Sequence, residues 1–190
     1  MTESAPGVVP AEAPPPGTYA LDPEHTTIRA DVKAMFGLMT VHGTFRLRAG
    51  QVSIAADPGA SSVEASIEAG SYASGNATRD ADVTGASLLD ARTYPEITFT
   101  GQGARRDGDG WVVPGSVTAH GAAAPAELRL SDARLEGGEA GQARFRATAR
   151  LDRTSFGVTK KKGMVGRTVD LVIEAVAQPA STGPASTGPA

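Results

Sequence analysis

Ser74-Gly-Asn-Ala-Thr-Arg-Asp-Ala-Asp-Val-Thr-Gly-Ala-Ser-Leu-Leu-Asp-Ala-Arg-Thr-Tyr-Pro-Glu-Ile-Thr-Phe-Thr100 is the one stretch of this 190-residue chain where a rhythm of short alternating strands stops. Thr78, or Asn76 just before it, can cap a helix there, with Asp80 and Asp82 in a first turn where carboxylates favour the helix dipole. Gly85 limits its length, and Tyr94-Pro95 ends the segment because the residue before a proline avoids helical geometry. Glu96-Ile97-Thr98-Phe99 then resumes alternation. A short helical insertion around 78–92, set between two halves of a β-protein, predicts a barrel with something closing or lining one end.

Outward from this stretch the apolar residues recur with period two. Ile28, Ala30, Val32 and Ala34 alternate with Arg29, Asp31 and Lys33, and Val63, Ala65, Ile67 and Ala69 with Glu64, Ser66 and Glu68. Phe145, Ala147, Ala149 and Leu151 form a third run, and Val169, Leu171, Ile173 and Ala175 a fourth, with Val172 left on the polar face. Turns are signalled by Asp57-Pro58-Gly59, Asp107-Gly108-Asp109-Gly110 and Glu136-Gly137-Gly138. With the shorter pieces this makes about eight to ten strands, an all-β sandwich or closed barrel.

A single apolar face per strand predicts antiparallel pairing with the other face in water. Alanine recurs at inward positions, where a sandwich would carry larger, interdigitating side chains. A lumen walled by small residues leaves room, and the five Phe, three Tyr and one Trp can fill little of it. Water or an apolar ligand would then occupy it. The plain alternative is an alanine-rich composition throughout, and the residues alone leave both readings open.

The ends set the domain bounds. Residues 1–16 carry Pro6, Pro10, Pro14, Pro15 and Pro16 and are expected to be a disordered arm; 178–190, with Ala-Ser-Thr-Gly-Pro twice over, reads as a disordered tail. The barrel domain is therefore expected over 17–177. A net charge of −3 leaves no electrostatic footprint for nucleic acid, and the absence of cysteine excludes disulfides and thiolate chemistry. No apolar run reaches membrane-spanning length, and the N-terminus lacks the regions of a signal peptide, so a cytoplasmic protein is expected.

The order of motifs resembles the YceI-like, lipocalin-like domain family. The matching pieces are Tyr19 to Asp22 with His25-Thr26, Val41-His42-Gly43-Thr44-Phe45, Asn76 to Asp80 followed by Tyr94-Pro95-Glu96-Ile97-Thr98-Phe99, Gly115 to Gly121, and Asp152-Arg153 to Phe156-Gly157. The resemblance implies an extended eight-stranded antiparallel barrel whose lumen holds a polyisoprenoid-type chain such as a quinone or prenyl lipid. It implies a non-enzymatic binding, storage or transport protein, with no cofactor beyond such a ligand. Where the family carries His-Leu after the Arg-Asp pair and an aromatic pair further on, this chain has Asp82-Val83 and Leu88-Leu89.

The residues expected at the lumen and its portal are Ile28, Ala30, Val32, Met35, Phe36, Phe45, Ile67, Leu88, Leu89, Phe99, Phe145, Ala147, Phe156, Leu171 and Ile173. Arg79, Arg153, Lys160, Lys161 and Lys162 are the candidates for a ligand head-group, since guanidinium and ammonium groups meet anionic or carbonyl oxygens. The plainer reading of the same groups, which the residues favour, is ion pairs pinning the plug and a solvated basic loop. His25, His42 and His120 lack metal-ligand spacing, and no metal or catalytic site is expected. The alternatives are an enzyme or stress-response factor acting on a lipid or quinone in the same cavity, with His25 or His120 as acid–base group, or an adaptor with a filled barrel. Expected partners are the apolar lipid and, transiently, a membrane surface, with a homodimer as a further option.

Overall fold

The computed structural model describes residues 13–137, 141–161 and 164–180. β1 (Gly17–Leu21) and β2 (Thr27–Ala34) are two lengths of one strand, β3 (Met39–Phe45) and β4 (Leu47–Ile54) of a second, and β6 (Glu96–Gln102) and β7 (Arg105–Asp107) of a third. With β5 (Ser62–Glu68), β8 (Gly110–Ala119), β9 (Ala122–Glu136), β10 (Gln142–Asp152) and β11 (Val165–Pro179) they form an eight-stranded antiparallel barrel. Each strand pairs with the next, and β11 closes the ring by pairing with both β2 and β1. At the break between β1 and β2, Asp22 N donates to Val176 O (2.7 Å) and Val176 N donates to Thr26 Oγ1 (3.3 Å), so the ladder continues across the gap.

The alternation expected from the residues is the barrel's inside and outside. Phe145, Ala147, Ala149 and Leu151 stand opposite Ala175, Ile173, Leu171 and Val169, all inward. On the outer face Arg146 lies directly opposite Glu174 and Arg150 opposite Asp170, with N···O distances of 3.3 and 2.6 Å. Two register shifts change the phase: one at Arg48 in β4, the other at Ser131 in β9. After the second, the inward series Leu128, Leu130 continues as Ala133, Leu135.

One end of the barrel is plugged. A short 3-10 turn (Ala69–Ser71) leads into α1 (Ala77–Thr84), whose cap is Asn76, accepting from Arg79 N at 3.0 Å. The cap therefore precedes Thr78, and only Asp80 falls in the first turn; Asp82 lies further along. Asp80 instead holds Ser74, accepting from its backbone N (2.9 Å) and hydroxyl (2.6 Å). The helix is shorter than the expected 78–92 insertion because Gly85 ends it, and residues 86–94 continue as turns bonded back to Val83, Gly85 and Asp90. Leu88 is buried with Phe156, Val158, Phe99, Val117 and the alanines 119, 124 and 126, which seals this end.

The β2–β3 hairpin also lies at the plugged end. Its turn places Met35 and Phe36 at φ 49° and 57°, followed by Gly37 at 88°, with Gly37 N donating to Ala34 O. Two left-handed residues are what a tight hairpin turn of this kind requires, a role usually given to Asn-Gly. Bulky side chains pay about 1 kcal/mol or more each for that geometry.

The opposite, terminal end carries the first and last described residues, Ala13 and Ala180. β11 runs to Pro179, past the expected limit of 177, pairing Pro179 with Tyr19. Residues 13–16, expected in a disordered arm, lie against the barrel: Pro14 is buried and Pro15 O accepts from the Tyr19 hydroxyl at 2.8 Å. The rest of the arm (1–12) and the tail from 181 lie outside the described residues.

Candidate functional site

Inside the barrel is a cavity of about 300 Å³. Its wall is made by the inward residues of all eight strands, among them Leu47, Val52, Ile67, Val113, Leu130 and Ile173. Alanines 65, 126, 133, 147, 149 and 175 supply the small side chains that leave the axis open. Among the described residues no charged one lines it; Thr26, Ser61, Ser62 and Thr98 are the polar ones. On β10 the wall extends from Phe145 to Leu151, about 20 Å of strand at the usual rise per residue. Ala13 and Pro14 reach it at the terminal end, beside Pro58 and Ala104.

Of the residues expected at the lumen, Ile28, Ile67, Phe99, Phe145, Ala147, Leu171 and Ile173 line this cavity. The others do not, and the plug explains most of them. Phe45 packs on Tyr72, ring centroids 5.2 Å apart, under the 3-10 turn. Leu88 and Phe156 are buried in the plug itself, and Leu89 is half-buried beside them. Ala30 and Val32 face inward but lie nearer the plugged end, opposite Gly43 and Val41. Met35 and Phe36 project outward from the hairpin turn, Phe36 being 83% exposed.

The head-group candidates Arg79, Arg153, Lys160 and Lys161 sit at the plugged end, away from the cavity wall. Arg153 is buried and fully engaged by backbone: Nε donates to Gly166 O (2.8 Å), Nη1 to Val158 O (2.7 Å) and Lys160 O (2.9 Å), and Nη2 to Val165 O (3.0 Å). It is thus a structural clamp on the 158–166 loop and not the ion-pair partner of Asp152. Burial lowers its pKa, against the opposing charge of Asp152. Asp152 pairs with Arg167 (2.5 Å) and caps the short helical turn Arg153–Phe156 through Thr154. Lys161 Nζ reaches Asp82 Oδ2 at 2.5 Å, tying the basic loop to α1. Arg79 lies on α1, half-buried, with its charge felt at Tyr72. Lys160 is exposed, and Lys162 lies outside the described residues.

None of the histidines lines the cavity. His25 bonds Asp22 at 2.9 Å and His42 bonds Asp31 at 2.7 Å, both in exposed positions. His120 packs against Tyr94 and bonds Phe156 O at 3.1 Å. Among the described residues there is no group of acidic residues and histidines placed to hold a metal ion.

A closed up-and-down barrel around an apolar lumen is the lipocalin-like class of architecture. Within that class the chain belongs to the YceI-like domain family, whose pattern matches residues 19–177. It is 28% identical over 163 residues to Protein YceI of Escherichia coli O157:H7, covering 82% of this chain and 83% of that one. A UPF0312 protein of Pectobacterium atrosepticum is similar to the same extent. Among solved structures, Burkholderia cenocepacia BcnA superposes with a TM-score of 0.73 at 23% identity, over 83% of this chain and 99% of that one. A polyisoprenoid-binding domain from Saccharophagus degradans superposes with a TM-score of 0.62 at 14% identity, over 85% and 98%.

Proposed function

We propose that this protein binds, and thereby stores or carries, a long apolar chain of the polyisoprenoid type within its barrel. The observation that carries this reading is a cavity of about 300 Å³ whose wall, among the described residues, has no charged one. Left empty and dry, such a volume would cost about 7 kcal/mol at about 24 cal/mol per Å³, comparable to the whole net stability of a domain. An apolar occupant offsets that cost and gains up to about 0.8 kcal/mol per buried CH₂. Family membership and the similarity to a polyisoprenoid-binding domain support a chain-shaped ligand.

The polar groups of the wall favour a neutral head over a pyrophosphate. Ser61 and Ser62 lie at the terminal end, and the Ser61 hydroxyl oxygen already accepts from Ala55 N (3.0 Å), leaving its proton to donate. A quinone carbonyl meets that chemistry. Native mass spectrometry of the purified protein, followed by solvent extraction, tests the reading. A bound mass that extraction identifies as a prenyl quinone or prenyl alcohol is expected. A ligand-free mass that persists after incubation with quinones and polyprenyl phosphates would sink it.

A further inference from the structure

Beyond the lumen, the plugged end of the barrel carries an apolar surface that no described residue covers. Met35, Phe36, Leu38, Met39 and Met164 are all exposed there, Phe36 and Leu38 at 83% and 87%. They form one patch: Met35 N donates to Met164 O (2.9 Å), and β11 begins with Val165 paired to Ala34. The turn holds Met35 and Phe36 in left-handed backbone, which turns the most apolar part of the hairpin toward solvent.

The rim of this patch is basic. Lys33 and Lys160 have no acidic partner among the described residues, Lys33 donating instead to Thr40 Oγ1. Carboxylates on this side already have partners: Asp82 pairs with Lys161, Asp152 with Arg167, and Asp31 with Arg29 and His42. Arg153 bonds the Lys160, Val165 and Gly166 carbonyls at once, tying Lys160 to the start of β11. A two-fold contact through the apolar patch would set these lysines against their own copies, a like-charge arrangement that disfavours self-association. An anionic lipid surface has the complementary charge and an apolar layer for the side chains to enter.

We infer that the hairpin tip and Met164, rimmed by Lys33 and Lys160, dock this end of the barrel on an anionic membrane surface. The contact does not depend on what fills the lumen. It is reversible and weakens as salt rises, because its charged part is screened.

Co-sedimentation of the full chain with phosphatidylcholine vesicles, with and without phosphatidylserine, tests it. Binding is expected with phosphatidylserine and is expected to fall as ionic strength rises. Phe36→Asp or Leu38→Asp should weaken it about tenfold or more, and Lys160→Glu about fivefold or more. Circular dichroism checks that each variant keeps its fold, as expected for side chains so exposed. Absence of sedimentation with either vesicle overturns the inference, and so does binding that Phe36→Asp and Lys160→Glu leave unchanged. Self-association by analytical ultracentrifugation that Phe36→Asp abolishes, without vesicle binding, would assign the patch to a second copy instead.

Discussion

The ring of Tyr72 occupies the space into which a side chain at position 43 would grow. A Cβ on Gly43 would come within 2.2 Å of Tyr72 Cε2 and 2.4 Å of its hydroxyl oxygen. Gly43 lies on β3 opposite Ala30, so this close fit lets the Tyr72 ring close the barrel's plugged end above β2 and β3. Gly43→Ala should therefore destabilise the protein by about 1–3 kcal/mol through overpacking. In a Tyr72→Ala background the same change should cost far less, and urea unfolding of the four proteins in that cycle measures the coupling.

Arg153 satisfies four backbone carbonyl bonds from a buried position. Arg153→Met would leave those acceptors without their donor, and a loss of about 3 kcal/mol or more is expected. Arg153→Lys cannot restore the planar fork and should recover only part of it. Denaturant midpoints give the stabilities. A lumen head-group role would instead show as lost ligand retention with unchanged stability.

Alanine 147 and alanine 149 face the cavity from the middle of β10. Ala147→Leu or Ala149→Leu should fill part of the void, stabilising the ligand-free protein by about 1–2 kcal/mol. The same variants should bind less of an apolar fluorescent probe. A double variant that takes up the probe as well as the parent would mean that the cavity is not the binding space.

Asp152 is held below the ordinary carboxyl value of 3.8, first by its hydrogen bond from the Thr154 hydroxyl and further by Arg167. A depressed folded-state pKa stabilises at pH values above the unfolded one and is lost as pH falls through the folded value. Asp152→Asn should thus be less stable than the parent above about pH 5. The gap should narrow progressively below pH 3.8, as thermal melts over that range will record.

Period-two alternation carried most of the architecture, because each wall strand has one wet and one dry face. The lumen was harder to read. At Ser131 one extra residue reverses the inward phase of β9, so Ala133 enters the wall from a position that simple alternation from Leu130 puts outside. Trp111 and Val113, visible as a short alternating pair, line the cavity yet offered no mark separating them from an ordinary strand. Conversely Phe45, Leu88 and Phe156 have the apolar character of a lumen but are consumed by the plug, whose depth depends on contacts far apart in the chain. Arg153 was conspicuous as half of an Asp-Arg pair. Its partners are main-chain oxygens, which leave no signature in the side-chain order.

Finally, α1 buries none of its own residues completely and is fastened at its edges by Asp80 to Ser74 and by Asp82 to Lys161. Detaching it exposes little apolar surface, so its opening costs a fraction of what unfolding the wall would cost. Hydrogen exchange of amides 77–84 should accordingly outpace that of β10 and β11. Because Leu88, Phe156 and Val158 make the seal, loosening α1 leaves the lumen closed, and a change of charge at position 82 or 161 should quicken exchange in this segment alone.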